Sequence, residues 1–410
     1  MRLIYLDNHS GTKLDPRVYD EIVPYLTEYY GNAQSMHSFG YKSTQAIQKA
    51  REQVAQLINA NDNEIYFTSC GSESNNLALK GIAEAYKSKS RHIITSSIEH
   101  VSVLNALKRL EQAGYEITRL PVDKSGMVCP DDLKQAIRKD TILVSIQHAN
   151  PEIGTIQPIE ELSKIARDKG VLFHTDAIAT TGIIPVDVNQ LGIDLLSLAG
   201  SQFHGPKGAA ALYIRKGVRI IPQIEGGVQE QNKRAGTENI AVIVGLGRAA
   251  EIARQEMSDN HIKMTNLRNK LIKELPEKIP YIYLNGHPQN RLPHNVNFSV
   301  EFIEGEGMLL FLDEKGIYIT SGSACTSKTL KMSHVMSAIE CDPAIAQGSV
   351  TMTLSKYNTE DDIDYVLQEF PPIVQKLRDL SPLYAYFKKT GKRQEAGPGT
   401  NYEHDHDLEE

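Results

Sequence analysis

Cys325 stands in a run of small residues and could act as a nucleophile. The run, TSGSACTSK at 320–328, follows an apolar, strand-like stretch. A thiol that has thiolate character and is accessible can attack a substrate sulfur and hold it as a persulfide. The small neighbours of Cys325 are compatible with access, and a cysteine buried for packing remains the other interpretation.

Two further polar residues stand where strand-like runs end. Asp176 closes VLFHTDA at 171–177, and His100 follows HIITSS at 92–97. In a parallel α/β sheet the C-terminal ends of the strands face the ligand crevice. An aspartate there can pair with a protonated pyridine nitrogen, and a histidine can stack on a ring or move protons. A capping role for Asp176 and a structural role for His100 remain open.

The stretch TSCGSESNN at 68–76 indicates a strand end, a turn of small residues and a helix that begins near Ser74. Backbone amides and hydroxyls at such a turn can hold a phosphate, helped by the positive end of the helix. Gly71 and Ser72 are the natural contacts. Capping of the helix by Ser72 or Ser74 explains the same pattern.

These residues need a sheet that brings strand ends together, and the chain predicts one. Short β-rich runs alternate with amphipathic helical stretches, which favours an α/β fold with a mostly parallel sheet covered on both faces. The strand-like runs lie at 64–69, 92–97, 116–122, 141–148, 171–177, 195–200 and 210–215.

The chain divides into two predicted domains and a tail. A large domain covers 14–259, and a smaller α/β domain combines 1–13 with 260–387 and carries Cys325. The polar stretch 388–410 ends in acidic residues and is predicted to be disordered.

Composition excludes several kinds of partner. The net charge is −7 without a long basic stretch, which argues against nucleic acid. No apolar run approaches the roughly 20 residues of a membrane span, and no signal peptide is evident. Four cysteines without CxxC or CxxH spacing indicate reduced thiols in the cytoplasm and no metal site, apart from Cys325 as a possible cluster ligand.

Nine motifs, in order along residues 3–387, resemble those of the cysteine desulfurases, which have the class V aminotransferase-like fold (fold type I) and depend on pyridoxal 5′-phosphate. They are YLDN (5–8), GNAQSMHSFG (31–40), FTSCGSESNNLALKG (67–81), EH (99–100), HANPEIG (148–154), TDA (175–177), GPKG (205–208), RAGTEN (234–239) and SGSACTS (321–327).

The resemblance implies a reaction. In that family the amine of cysteine condenses with the cofactor, a loop cysteine takes the sulfur and alanine leaves. The persulfide then supplies iron–sulfur cluster assembly or tRNA thiolation, so a scaffold or sulfur-acceptor protein is an implied partner, as is a second copy of the chain. By position the implied roles are sulfur acceptor for Cys325, ring stacking for His100, pyridine-nitrogen partner for Asp176, phosphate contact for Ser72 and cross-subunit phosphate contact for Thr237.

The chain departs from the family pattern at six ligand-contacting positions. Where the family has Ser-Gly-His-Lys, this chain has Ala199, Gly200, Ser201 and Gln202. An amide cannot form a Schiff base, so pyridoxal phosphate cannot be held as an internal aldimine at Gln202. Lys207 matches a different family lysine. The remaining departures replace an asparagine, a glutamine and the arginine that grips the substrate carboxylate; they are Pro151, Ala179 and Thr351.

Three functions therefore remain. The preferred prediction is a degenerate homologue of sulfur metabolism that cannot form the cofactor linkage, with Cys325 as a persulfide or cluster-ligand thiol. The alternative is an active cysteine desulfurase with an unorthodox site. The third is a different enzyme with a reshaped pocket.

Overall fold

Strands and helices alternate through the first half of the chain. The computed structural model describes residues 2–321 and 332–393. Its strands are β1 (Ile4–Tyr5), β2 (Ile65–Thr68), β3 (His92–Ser96), β4 (Glu116–Leu120), β5 (Thr141–Ser145), β6 (Leu172–Asp176), β7 (Leu195–Ala199), β8 (Ala210–Ile214), β9 (Ile282–Leu284), β10 (Asn295–Val300), β11 (Ile317–Tyr318) and β12 (Ser349–Thr353).

The helices follow the amphipathic stretches between the strands. They are α1 (Pro16–Thr27), α2 (Ser38–Leu57), α3 (Gly71–Tyr86), α4 (Val101–Gln112), α5 (Pro130–Ala136), α6 (Ile159–Asp168), α7 (Gln229–Asn232, a turn with left-handed backbone), α8 (Ile240–Lys278), α9 (Gly305–Asp313), α10 (His334–Ala338), α11 (Pro343–Ala346), α12 (Glu360–Leu380) and α13 (Pro382–Thr390).

The main sheet has seven strands in the order β2-β8-β7-β6-β5-β3-β4. Strand β8 runs antiparallel to both of its neighbours, while the pairs from β7 to β4 are parallel. All seven strands coincide with the strand-like runs of the sequence, and the prediction of a mostly parallel α/β sheet is confirmed.

Apolar side chains cover this sheet on both faces, which is why its strands read as continuous apolar runs. One cluster joins α1, α2 and the first half of α8 to the sheet and includes Val18, Val54 and Leu246. The other joins α3 and α4 to the opposite face and includes Leu79 and Leu107. The sheet is therefore rigid, and its strand ends are fixed relative to one another.

A smaller antiparallel sheet, ordered β12-β10-β9, forms a separate cluster with the second half of α8, α9 and α12. Helix α8 runs without interruption through the predicted boundary at 259/260, and the division into domains stays a prediction. Helix α13 continues to Thr390, past the predicted start of the tail at 388. Within the described residues, no helix combines the length and apolar character needed to cross a membrane.

Candidate active site

Asp176 ends strand β6 as a buried carboxylate. Its Oδ2 accepts a hydrogen bond of 2.7 Å from Nδ2 of Asn75 on α3, and its Oδ1 accepts one of 3.0 Å from the backbone N–H of Ile178. Burial raises the pKa of Asp176, although both hydrogen bonds oppose that shift. The bond from Ile178 is the local contact expected of a capping aspartate. The bond from Asn75 holds the carboxylate in addition, which a capping role does not require.

His100 is the N-cap residue of α4 and is exposed. Its Nδ1 accepts a 3.1 Å hydrogen bond from the backbone N–H of Ser102 and lies 2.7 Å from Ser102 Oγ. The same hydroxyl lies 2.9 Å from Asn75 Nδ2. The structure therefore brings His100 and Asp176 together through Asn75 and Ser102.

Helix α3 begins at Gly71, three residues before the predicted start at Ser74. The N-cap residue is Cys70, which makes no side-chain capping bond, so the interpretation of Ser72 or Ser74 as the cap was wrong. The Ser74 hydroxyl is instead 2.7 Å from that of Thr68. Because the helix starts earlier, the N–H groups of Gly71 and Ser72 lie in its first turn. N–H groups there have no acceptor within the helix and can bind an anion.

Gly71 is favoured by close packing between α3 and the end of the sheet. A Cβ at this position would overlap Cδ1 of Ile178 and would lie 4.0 Å from the Cβ of Ala199. Ile178 therefore fills the space between the start of α3 and the loop that follows β7.

That loop is bonded to the N-terminal segment. Gln202 Nε2 donates to the carbonyl oxygen of His9 at 2.9 Å. The Ser201 carbonyl accepts from both the N–H and the hydroxyl of Thr12, each at 2.9 Å, and the Thr12 hydroxyl accepts from the N–H of His204. The Gln202 amide nitrogen, the Ser201 carbonyl and the His204 N–H of the predicted cofactor-lysine loop are thus bonded within the chain itself.

Thr237 is exposed in a cleft of about 200 Å³ that also includes Ser69 and Arg234. Arg234 Nε lies 2.9 Å from Oε1 of Glu73, in the first turn of α3. Thr237 therefore lines a cleft beside the end of β2, which leads into α3.

Three of the positions that depart from the family pattern supply no charge to the site. The Pro151 carbonyl accepts from Asn295 Nδ2 at 2.8 Å, and Ala179 packs against the apolar cluster of the small sheet. Thr351 is 1% exposed in β12, and its hydroxyl accepts from Asn297 Nδ2 at 2.7 Å. Cys325 lies outside the described residues.

Two glutamates near the site, one buried and one half-buried, were missed from the sequence. Glu99 is fully buried, and burial raises its pKa to about 8. Its oxygens accept from Ser96 Oγ at 2.5 Å and from the N–H of Gln147. Burial also raises the pKa of Glu152 to about 7, and Glu152 accepts from Ser333 Oγ at 2.7 Å. Both carboxyl groups therefore tend to hold a proton near neutral pH.

Asn75 and Ser102 were also missed. A usable signal existed for Asn75, because it lies four residues after Gly71 and so on the same face of α3. For Ser102 the only signal is its position two residues after His100, which is typical of an ordinary helix start.

Comparison with known proteins gives this arrangement a family. The model of the aminotransferase class-V family matches residues 4–366. The protein named Cysteine desulfurase IscS of Dictyoglomus turgidum is 52% identical over 381 residues, covering 93% of this chain and 97% of that protein. The Cysteine desulfurase IscS of Methanosarcina thermophila is 52% identical over 382 residues, or 93% of this chain and 94% of that protein.

This chain belongs to the cysteine desulfurases of the class-V aminotransferase family. A solved structure titled as a NifS-like protein has the same fold, with a TM-score of 0.87, 39% identity and coverage of 92% of this chain and 100% of that one. The family and the fold predicted from the nine motifs are confirmed. The preferred prediction of a degenerate, inactive member is not supported: similarity to proteins named as desulfurases favours the alternative, an active enzyme.

Cysteine desulfurases depend on pyridoxal phosphate, and the described residues fit its non-covalent anchors. Asp176 offers a buried carboxylate to a ring nitrogen, and the first turn of α3 offers N–H groups to a phosphate. The amine for covalent attachment is not supplied by Gln202. Lys207 is exposed, with its Nζ 3.6 Å from the position of a Cβ on Gly11.

Proposed function

We propose that this chain is an active cysteine desulfurase that holds pyridoxal phosphate without a covalent bond and transfers the sulfur of L-cysteine to Cys325. The observation that carries the proposal is the buried Asp176 carboxylate, held at 2.7 Å by Asn75 beside the first turn of α3. The 52% identity to proteins named Cysteine desulfurase IscS supports the same substrate.

The proposed reaction needs no external oxidant. The C–S bond of L-cysteine breaks, and an S–S bond forms between that sulfur and the Cys325 thiolate. The electron pair of the broken bond remains with the carbon, which takes up a proton and becomes the methyl group of L-alanine. The carbon is reduced and the sulfur is oxidised to a persulfide, so atoms and electrons balance.

Pyridoxal phosphate, when bound, supplies an electron sink for the carbon that carries the substrate amine. Asp176 would pair with its ring nitrogen, the N–H groups of Gly71 and Ser72 with its phosphate, and His100 would lie against its ring. We infer an exchangeable cofactor because Gln202 already donates to the His9 carbonyl and has no amine with which to form a linkage.

Sulfur must leave Cys325 for the enzyme to turn over. We propose an iron–sulfur scaffold or another thiol-bearing acceptor protein in the cytoplasm, and a homodimer in which Thr237 of one copy contacts the phosphate site of the other. The exposure of Thr237 leaves its side chain open to a second copy. We also propose that the chain forms two domains, one of residues 14–259 and one of residues 1–13 with 260–387.

One assay tests the proposed function. Purified protein is incubated with pyridoxal phosphate and L-cysteine, and L-alanine and protein persulfide are both quantified by mass spectrometry. We expect one alanine per persulfide in the first turnover and no persulfide at residue 325 in Cys325→Ser. The matched control is Cys129→Ser, since Cys129 is a free, exposed cysteine at the start of α5 and is expected to change neither product. Absence of alanine from the wild-type protein would overturn the proposal in favour of the degenerate homologue.

A further inference from the structure

We propose that Ser102 is a positioning residue that connects His100 to Asn75 and Asp176 and favours the tautomer of His100 with its proton on Nε2. The effect on turnover rests on the proposed function. The tautomer of the ring is a property of the protein alone.

The backbone of Ser102 fixes which nitrogen of His100 is unprotonated. A backbone N–H can only donate, and that of Ser102 points at His100 Nδ1 over 3.1 Å. Nδ1 must therefore present its lone pair. A neutral imidazole carries a single N–H, so the proton lies on Nε2.

The hydroxyl of Ser102 strengthens this preference. The Asn75 amide nitrogen also can only donate, so Ser102 Oγ accepts from it over 2.9 Å. The single hydroxyl proton is then directed to His100 Nδ1, 2.7 Å away. Two donors thus converge on Nδ1, and each opposes a proton there.

Asn75 gives the connection a fixed direction. Its Nδ2 carries two protons, of which one goes to Ser102 Oγ and the other to Asp176 Oδ2 at 2.7 Å. Rotation of the amide would set its oxygen against the Asp176 carboxylate, and Asn75 is fully buried. Its Oδ1 finds no hydrogen-bond partner among residues 2–321 and 332–393, so the opposite orientation gains nothing.

His100 consequently meets a ligand as a hydrogen-bond donor through Nε2. Acceptors such as the carboxylate or thiolate of cysteine suit this donor. Without the Ser102 hydroxyl, the ring would lose one of its two constraints and would populate the other tautomer more often. A serine in the first turn of α4 whose hydroxyl met only solvent would have no such effect on the ring.

The test is nitrogen-15 NMR of the histidine side chains in the ligand-free protein, with the His100 signals assigned by their loss in His100→Gln. We expect the Nε2–H tautomer in the wild type. In Ser102→Ala the tautomer ratio should fall about fivefold, the change that one neutral hydrogen bond produces in an equilibrium. Ser102→Thr keeps the hydroxyl and should restore the wild-type ratio. An Nδ1–H tautomer in the wild type, or an unchanged ratio in Ser102→Ala, would overturn the proposal.

Cysteine turnover is the second readout and separates this inference from the proposed function. We expect Ser102→Ala to lower kcat about fivefold with little change in KM, and Ser102→Thr to restore kcat. A tautomer shift in a protein that forms no alanine would support the positioning role of Ser102 and overturn the proposed function. Turnover that is identical in all three proteins, despite a tautomer shift, would overturn the role of Ser102 in the reaction.

Discussion

Two neighbouring regions at the same edge of the main sheet use their polar groups in opposite ways. Around Asp176, side chains bond to one another and leave a buried carboxylate and a histidine nitrogen for a ligand. In the loop from Ala199 to His204, one strand away, the polar groups bond to the segment His9–Lys13. Register places the two regions side by side, because Asp176 pairs with Ser197.

The difference shows how one half of a site can keep its chemistry while the other becomes structural. The Gln202 amide reaches a backbone carbonyl, a contact that any amide of that length can make and that needs no ligand. Asp176 instead sits where burial raises its pKa, which is costly for folding unless a positive or donating ligand offsets it. The first region is therefore expected to respond to ligand, and the second to affect stability.

Removing the charge at Asp176 should have the largest effect. We expect Asp176→Asn to weaken pyridoxal phosphate binding about 10- to 100-fold, because a charge-assisted hydrogen bond contributes roughly 1.5–3 kcal/mol. Absorbance titration gives the dissociation constant. Asp168→Asn, at an exposed helix end, is the matched control and should bind as the wild type does. Equal affinity of all three proteins would contradict a ligand site at Asp176.

Glu99, beside the same region, should make stability depend on pH. Burial raises its pKa to about 8, so between its unfolded pKa and that value the folded chain holds a proton that the unfolded chain has lost. Stability therefore falls as pH rises through this window, by roughly 2 kcal/mol between pH 6 and 8. Denaturant unfolding of Glu99→Gln should lack this part of the slope. A slope as steep as that of the wild type would show that Glu99 is ionised in the folded protein.

An amine at position 202 should make the loop from Ala199 to His204 respond to ligand, as the region around Asp176 is expected to do. We expect Gln202→Lys to form a bond with pyridoxal phosphate that borohydride traps on residue 202, and to raise alanine formation at least about tenfold, since a positioned acid–base group typically contributes 10²–10⁴. Gln202→Met, of similar length without an amine, should show no gain. Failure to trap Gln202→Lys would mean that the loop does not face the cofactor.

The smallest effect concerns the packing between the two regions. Gly71→Ala should cost about 1 kcal/mol, because the new methyl group overlaps the end of the Ile178 side chain. In a double-mutant cycle with Ile178→Ala, measured by denaturant unfolding, the two changes should couple favourably. Additive costs would show that Ile178 does not occupy the space at Gly71.

The sequence predicted the sheet well because both faces are covered and the strands other than the edge strand β4 are largely apolar. It also drew attention to Asp176 and His100, because strand ends in a parallel sheet meet at one edge. The structure brings the two residues together, and their roles stay predictions. The start of α3 was placed three residues late because Cys70, Gly71 and Ser72 resemble a turn, and the contact with Ile178 that favours glycine there is tertiary.

The hydrogen-bond partners could not be predicted. Asn75 lies 101 residues from Asp176, and Gln202 lies 193 residues from His9. Local sequence carries no information about such pairs, because only the folded sheet brings them together. The pattern at 199–202 thus indicated what was missing from the loop but not what the glutamine does instead.

The most direct test of non-covalent cofactor binding is borohydride reduction of wild-type protein with bound pyridoxal phosphate, followed by intact-mass and peptide analysis. We expect the cofactor to bind, to be removed by ultrafiltration after the reduction, and to leave every lysine unmodified. A pyridoxyl group on any lysine of the site, Lys207 included, would contradict it.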